Sequence, residues 1–505
     1  MKKIISIFLI ALMLCSVVGC GSDKTDNSKP SNDQNSVGDG ADVNNEQIEY
    51  EKPYEGNAAI LPMEMHSPYD KQAEALRKEV IDLPDTLLNN KNVYYVSYRA
   101  KQGGDGKSPE TAWSSLTFID IVPEGSTILF ERGGVYRERF ELKSNMSYGA
   151  YGKGAKPCIY GSVANFADES LWKEESKGIW VLQGYEFESV GAVIFDHGKK
   201  VGVYALNSKA LLSDLTFCTV KGKLKLRCDK GNPGALYDDI EVNDRGHIIY
   251  ASGYIENVVI ENLCVKYGGE HGISINLCKN IKIRGCEIGY IGGSRPDSSE
   301  VVRYGNGIQF WRDCDSIVCE KNWIYQCYDA GLTHQTSSAA VQKNINFSKN
   351  LIEYCVYNIE AFNEHGKTEN VTYKDNILRF AGYGCFDPKS RLGSNSSAVS
   401  HICLWRHANP GSNFKITGNI LDTSYRYLIY GYYLNEAGKN ASVSGNTYVQ
   451  QPLSKTYAFD KDNIGSQVSV GALANGTVLK ANDLTSLTSG VKAIDTAPKK
   501  IEYVK

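Results

Sequence analysis

Two carboxylates stand where acid–base chemistry would be served. Glu360 lies in the run Ile359-Glu360-Ala361-Phe362. Its apolar neighbours would desolvate a carboxyl and push it toward proton-donating duty. Asp329 opens the run Asp329-Ala330-Gly331-Leu332-Thr333-His334-Gln335, about one repeat earlier. An aspartate before Ala-Gly is also what a plain turn uses. Asp387 and Glu364 are the reserves. Around these carboxylates, comparable runs carry flat aromatics (Trp311, Phe362, Trp405) and polar groups (Gln309, Thr333, Gln335, Asn363). Lys389, Arg391, Arg406 and His407 add charge nearby, and His365 and His401 stand at the rims. No Ser-His-Asp elbow, phosphate-binding glycine loop or dinucleotide fingerprint stands in a supporting context.

Something regular must position these side chains, and from Asn257 onward one phrase recurs. It reads NVVIENLCV (257–265), IKIRGCEI (281–288), SIVCEKNWI (316–324) and NINFSKNLI (344–352). It continues as NVTYKDNIL (370–378), NFKITGNIL (413–421) and NASVSGNTY (440–448). The anchor position is Asn262, Cys286, Asn322, Asn350, Asn376, Asn419 and Asn446, with steps of 24, 36, 28, 26, 43 and 27. Short strands repeating without helices between them predict a solenoid whose coils stack to bury an inner face. An asparagine at one corner of each coil can bond its equivalents above and below.

Each coil also carries a strand that begins at or near a glycine: ISIN (273–276), IQFW (308–311), LTHQ (332–335), IEAF (359–362), ICLW (402–405) and IYGY (429–432). Side chains alternate along a strand. If the first position points inward, Glu360 and Thr333 point outward, and Asn276, Trp311, Gln335, Phe362, Trp405 and Tyr432 form an outward column. A slip of one residue would turn that column into core. His334 falls inward and reads as a buried imidazole. The two long steps place extra residues at 292–305 and about 383–401, before strands about 14 Å apart along the stack at ~4.8 Å per coil. Long loops on a rigid scaffold make two walls of a cleft.

The repeat, with the opening Tyr94-Tyr95-Val96-Ser97, GGDGKSPETAW (103–113) and Gly125-Ser126-Thr127-Ile128-Leu129-Phe130, resembles the right-handed parallel β-helix of the pectin-lyase-like superfamily over roughly residues 92–450. The resemblance implies an all-β single-stranded solenoid; residues 163–245 break the rhythm and read as a β-rich insertion, and a short N-terminal cap helix precedes the first coils. Residues 68–84, with Ala73, Leu76 and Val80 on one face, fit that helix within a cap segment at 56–91; residues 451–505 form a C-terminal cap or tail. It also implies carbohydrate chemistry. Glycoside hydrolysis needs two carboxylates about 5–5.5 Å apart for retention or 6.5–9.5 Å for inversion. Glu360 and Asp329 are favoured, with Asp387 in reserve, and Gln309, Trp311, Thr333, Gln335, Phe362, Asn363, Arg391, Trp405, Arg406 and His407 contact the sugar. Elimination on a uronate is the runner-up, with Lys389, Arg391 or Arg406 as base or clamp. A glycan-binding or adhesive module without catalysis uses the same aromatics. No cofactor is required, and calcium enters only under the lyase reading.

The start of the chain reads as an address. Lys2 and Lys3 precede an apolar run, Ile4 to Leu14, and Val17-Val18-Gly19-Cys20 resembles the lipobox of bacterial lipoproteins. The resemblance implies cleavage after residue 19 and a lipid on Cys20, so the expected location is the bacterial cell surface. Residues 20–55, polar and poor in aromatics, read as a disordered tether. Lys+Arg 55 against Asp+Glu 58 gives a net charge of −3, which argues against nucleic acid as a partner; a monomer is expected. The 48 glycines, 32 tyrosines and 42% hydrophobic residues exclude collagen-like, coiled-coil and largely disordered chains. The cysteines beyond Cys20 sit mainly in apolar strand patterns and read as buried thiols. With no CxxC pair or Cys/His cluster, no metal site is expected.

Overall fold

The computed structural model describes residues 65, 67–101, 103–296, 302–386, 399–405, 412–425, 427–431, 441–450, 457–459, 477–481 and 491–493. The expected signal segment, Cys20, the expected tether, Asp387, Lys389, Arg391, Arg406, His407 and Tyr432 lie outside them.

The chain is a right-handed parallel β-helix. Three columns of side chains, one from each strand of a coil, run inward through the stack. The first is Ile249, Ile273, Ile308, Leu332, Ile359, Ile402 and Ile429, paired in parallel register. The second is Ile260, Ile283, Cys319, Phe347, Tyr373 and Ile416. The third is Val265, Ile288, Ile324, Ile352, Leu378, Leu421 and Tyr448. All three meet in one apolar core. β-branched residues dominate the first column because they pack well on a pleated surface. Each buried Ile or Leu is worth roughly 1.5–3 kcal/mol.

Corners are held by asparagine. From Asn322 the side-chain amides form an unbroken ladder through Asn350, Asn376, Asn419 and Asn446, with Nδ2 donating to the next Oδ1 at 2.9–3.0 Å. Each Oδ1 also accepts the preceding coil's backbone N–H, at 2.9–3.0 Å. Every member is buried, so the ladder satisfies groups that would otherwise be costly. Cys286 interrupts it, offering only its backbone N–H to Asn322 Oδ1 at 3.0 Å. Asn262 stands apart, taking a bond from Lys156 Nζ at 2.7 Å. A second, exposed ladder joins Asn145, Asn257 and Asn280, then Asp315, Asn344, Asn370 and Asn413, at 2.7–3.1 Å. Its asparagines sit at left-handed φ of 53–61°. Asparagine tolerates that backbone better than other side-chain-bearing residues.

The insertion forms two sheets, one from Trp172–Ser176, Ile179–Leu182, Val203–Tyr204, Thr216–Val220 and Lys223–Arg227, the other from Val190–Phe195, Lys200–Val201 and Ile240–Asp244. They enclose a core of their own, including Phe166, Trp172, Phe195 and Phe217. The expected helix spans Asp70–Ile81 and buries Ala73 and Val80. It lies along the flank of the third-column strands: Arg77 bonds Glu353 at 2.9 Å and covers the Trp323 ring at 4.8 Å. Past the last coil, Thr477–Ala481 pairs antiparallel with Asn446–Gln450, and Val491–Ala493 pairs with it in turn. The twelve described cysteines are free thiols, eleven of them buried.

Candidate functional site

The strands Ile249–Ala251, Ile273–Arg284, Ile308–Glu320, Ala330–Thr336, Tyr357–Asn363, Ser400–Leu404 and Tyr427–Gly431 lay one face outward. Their alternation follows the expected parity. Ile359 and Ala361 join the central core, and Glu360 and Phe362 do not. One outward column is Tyr250, Ser274, Gln309, Thr333, Glu360, Cys403 and Tyr430. The next aligns Asn276, Trp311, Gln335 and Phe362, with Trp405 following one coil on. Trp311, Gln335, Phe362 and Trp405 are partly exposed.

Glu360 is 3% exposed although it is outside the core. Thr333 Oγ1 donates to its Oε2 at 3.2 Å, and Gln335 Nε2 donates to the same oxygen. Trp405 Nε1 donates to Oε1. A buried carboxylate survives only with such partners. As arranged, both oxygens act as acceptors, which sets the group up as a base or charge stabiliser.

Asp329 sits in the turn before Ala330–Thr336 and is 5% exposed. Its backbone carbonyl accepts the amides of Val356 and Tyr357, each at 3.1 Å. That register puts it level with Val356, four residues before Glu360. The offset is about 13 Å along the strand and ~4.8 Å across it. The two carboxyls therefore approach the inverting range only by leaning toward each other across the groove.

Other expected residues divide. Gln309 faces outward, its Oε1 accepting from Asn306 Nδ2 at 2.7 Å. Thr333 is buried beside Glu360. Asn363 is buried where the strand ends, and its Oδ1 caps the Gly366 amide at 2.7 Å. It serves a turn rather than the groove. His334 points inward, between Gln342 Oε1 at 2.9 Å and Tyr373 Oη at 2.6 Å. His401, expected near the cleft, is buried against Asn358 at 2.9 Å. Burial lowers the imidazole of His334 to about 4 and that of His401 to about 3. Glu364 and His365 are exposed at the rim.

The two loops rise from the same corner. Each follows a third-column strand, Glu287–Ile291 or Ile377–Arg379, and precedes a groove strand. Tyr328, at that corner on an intermediate coil, touches both: the Arg303 guanidinium lies 4.5 Å over its ring, and Phe386 meets it edge-on at 5.6 Å. The first loop is fastened to the insertion. Arg303 Nη2 donates to Gly191 O at 3.2 Å, and Arg295 N donates to Ser189 Oγ at 2.9 Å. A Cβ on Gly191 would come within 2.4 Å of Gly292 O and Ser294 N, so only glycine permits this contact.

Sequence reasoning passed over a cluster at the insertion end of this face. It consists of His247, Glu270, His271 and Tyr304, with Arg245 from the chain leaving the insertion. These residues sit just before the groove strands, in turns where strand alternation gives no signal. Among the described residues, no three His, Cys, Asp or Glu side chains gather into a metal-holding group.

No family model matches the chain, and no curated protein matches its sequence. Solved structures similar to it include a protein described as a glycoside hydrolase, at 10% identity and TM-score 0.42 over 73% of this chain and 87% of that one. Pectate lyase Pel9A is similar at 11% identity and TM-score 0.40, over 76% and 73% of the two chains. GH136 lacto-N-biosidase from Eubacterium ramulus is similar at 14% identity and TM-score 0.38, over 73% and 56%. These likenesses concern the fold.

Proposed function

We propose that this β-helix binds a polysaccharide along its outward groove and cleaves it by hydrolysis. The observation that carries the reading is Glu360: a carboxylate outside the core, held by Thr333, Gln335 and Trp405, with the partly exposed ring of Phe362 next along its own face and that of Trp311 two coils away in the same outward column as Phe362. Flat aromatic faces stack on the CH faces of pyranose rings, and a fixed carboxylate beside them acts on the bond between two sugars. Glu360 serves as base or charge stabiliser. Asp329, in the turn one coil earlier, serves as the acid if its carboxyl leans toward Glu360, with Asp387 as reserve.

The test is a screen of the purified protein against neutral and uronate polysaccharides, reading new reducing ends and the absorbance of unsaturated products. Reducing ends without unsaturation support hydrolysis. Unsaturated ends make it a lyase, and binding without either product makes it an adhesive module. The lipid anchor belongs to the same proposal. Mass spectrometry of the cell-derived protein should find a lipidated N-terminal Cys20, and an unmodified secreted form would refute it.

A further inference from the structure

The cluster at the insertion end has a defined build. Because Ile249, Ile273 and Ile308 are register partners, His247, His271 and Asn306 occupy one level, each two residues earlier. The His247 and His271 rings stack at 4.9 Å and 9°, and Tyr304 from the first loop continues the stack on His271 at 5.2 Å and 21°. His271 Nδ1 accepts the Asn306 amide at 3.0 Å, and Asn306 Nδ2 donates to Gln309 in the groove at 2.7 Å. A chain of contacts, passing through the Asn306 backbone N–H, thus runs from His247 to Gln309 in the column that holds Glu360.

Glu270 organises the polar side of this corner. His247 Nδ1 lies 3.2 Å from its Oε2 and Arg245 Nε lies 3.4 Å from its Oε1. Arg245 also pairs with Glu188 of the insertion. The side chains of His247 and Arg245 keep 29% and 37% of their surface in solvent, so both are open to a ligand at this end of the face. Burial and the neighbouring Arg139 lower His247 to about 4, so its ring is neutral at ordinary pH. Arg139 itself is spent on the carbonyls of Arg245, Gly161 and Asp244. Arg245 is matched by two glutamates, which leaves no net positive charge to hold a carboxylate-bearing sugar. What the corner offers is a set of acceptors and donors matched to hydroxyl groups: Glu270 and the outer nitrogen of His247 on one side, Arg245 and Gln309 on the other.

We propose that His247, Glu270 and Arg245 form a subsite for one neutral pyranose unit, through which the insertion takes part in substrate recognition. This rests on the polysaccharide reading and adds to it: the ligand is a neutral glycan, and its binding extends from Glu360 toward the insertion.

The chain has eight histidines, so their ring-nitrogen signals can be followed by NMR in ¹⁵N-histidine-labelled protein. The probes are fragments of xylan, mannan and galactan of graded length, with oligogalacturonates for comparison. Binding of the longer neutral fragments should shift the His247 signals. His247→Ala and Glu270→Gln should each weaken that binding by about three- to tenfold, the worth of one or two hydrogen bonds. Neutral fragments that bind without moving His247, or with undiminished affinity in both variants, overturn the subsite while the polysaccharide reading stands. A larger His247 shift with oligogalacturonates overturns the neutral assignment. Should only oligogalacturonates bind, the neutral subsite falls while the polysaccharide reading stands; should neither neutral nor uronate glycans bind the wild-type protein, the underlying reading falls as well. The wild-type signals decide the matter even if a variant fails to fold.

Discussion

Trp405 donates its indole N–H to the carboxylate of Glu360, one coil away. The ring that would stack on a sugar and the group that would act on it are thereby fixed to each other, so substrate placement and chemistry share one rigid support. Glu360→Gln should keep the fold and lower kcat by about 10²–10⁴, the range for loss of an acid–base group. Turnover close to wild type, in a protein of unchanged melting temperature, would remove Glu360 from the chemistry.

Trp311 and Phe362 occupy the same outward column, aligned through Gln335. Replacing either with alanine should weaken polysaccharide affinity by about three- to tenfold, consistent with ~0.5–1.5 kcal/mol per aromatic contact. Because both are partly exposed, the folded structure should tolerate the change. Isothermal titration with the substrate found by the screen is the measurement, and equal affinity in both variants would mean that the ladder does not face the glycan.

Asn376 sits mid-ladder, donating to Asn419 Oδ1 and to Phe347 O at 2.9 Å while its own Oδ1 accepts from Asn350. Asn376→Ala strands buried partners on both neighbouring coils and should cost about 1–3 kcal/mol or more. Asn446, the last ladder asparagine among the described residues, bonds a ladder partner on one side only and should cost less. Urea unfolding of the two variants compares them directly.

His334 and His401 are buried imidazoles lowered by burial from 6.5 to about 4 and about 3. The unfolded chain protonates both near 6.5, so the folded state takes up fewer protons on acidification. Their contribution is complete above pH 6.5 and is lost as pH falls from 6.5 toward 4, by at most ~1.4 kcal/mol per pH unit for each. Urea midpoints should decline across that window, and His334→Asn should flatten the decline. A wild-type midpoint that stays constant down to pH 4.5 would contradict the account.

The period-2 strand pattern and the recurring asparagine were legible in the sequence because each repeats coil after coil, so the faces of Glu360, Phe362 and His334 followed from parity. Asn363 shares the inward parity of Ile359 and Ala361, so its burial agrees with the alternation. Parity stops where a strand stops: His401 shares the outward parity of Cys403, yet near the start of its strand it is buried against Asn358. The His247 corner was hidden for another reason: its members belong to successive turns and to the chain leaving the insertion, and only coil stacking brings them together. The helical pattern of 70–81 was plain, but its partners Glu353 and Arg379 lie in coils far along the chain. Nothing local reports them.

Residues 67–87 do more than decorate one flank. Ser67 bonds Asp422, Asp70 bonds Arg379, Arg77 bonds Glu353, Glu79 bonds Lys321, Thr86 bonds Glu261 and Asp85 bonds Arg132. The segment therefore runs backward over the stack, from one of its last turns to its first. A solenoid whose turns grip only their neighbours can fray from either end, one turn at a time. Here a single covalent girdle is pinned to turns far apart, so a terminal turn cannot peel away without prising the girdle from ion pairs further along. Unzipping is thereby converted into a concerted event, and resistance to proteolysis in an exposed setting would depend as much on this girdle as on the core it crosses.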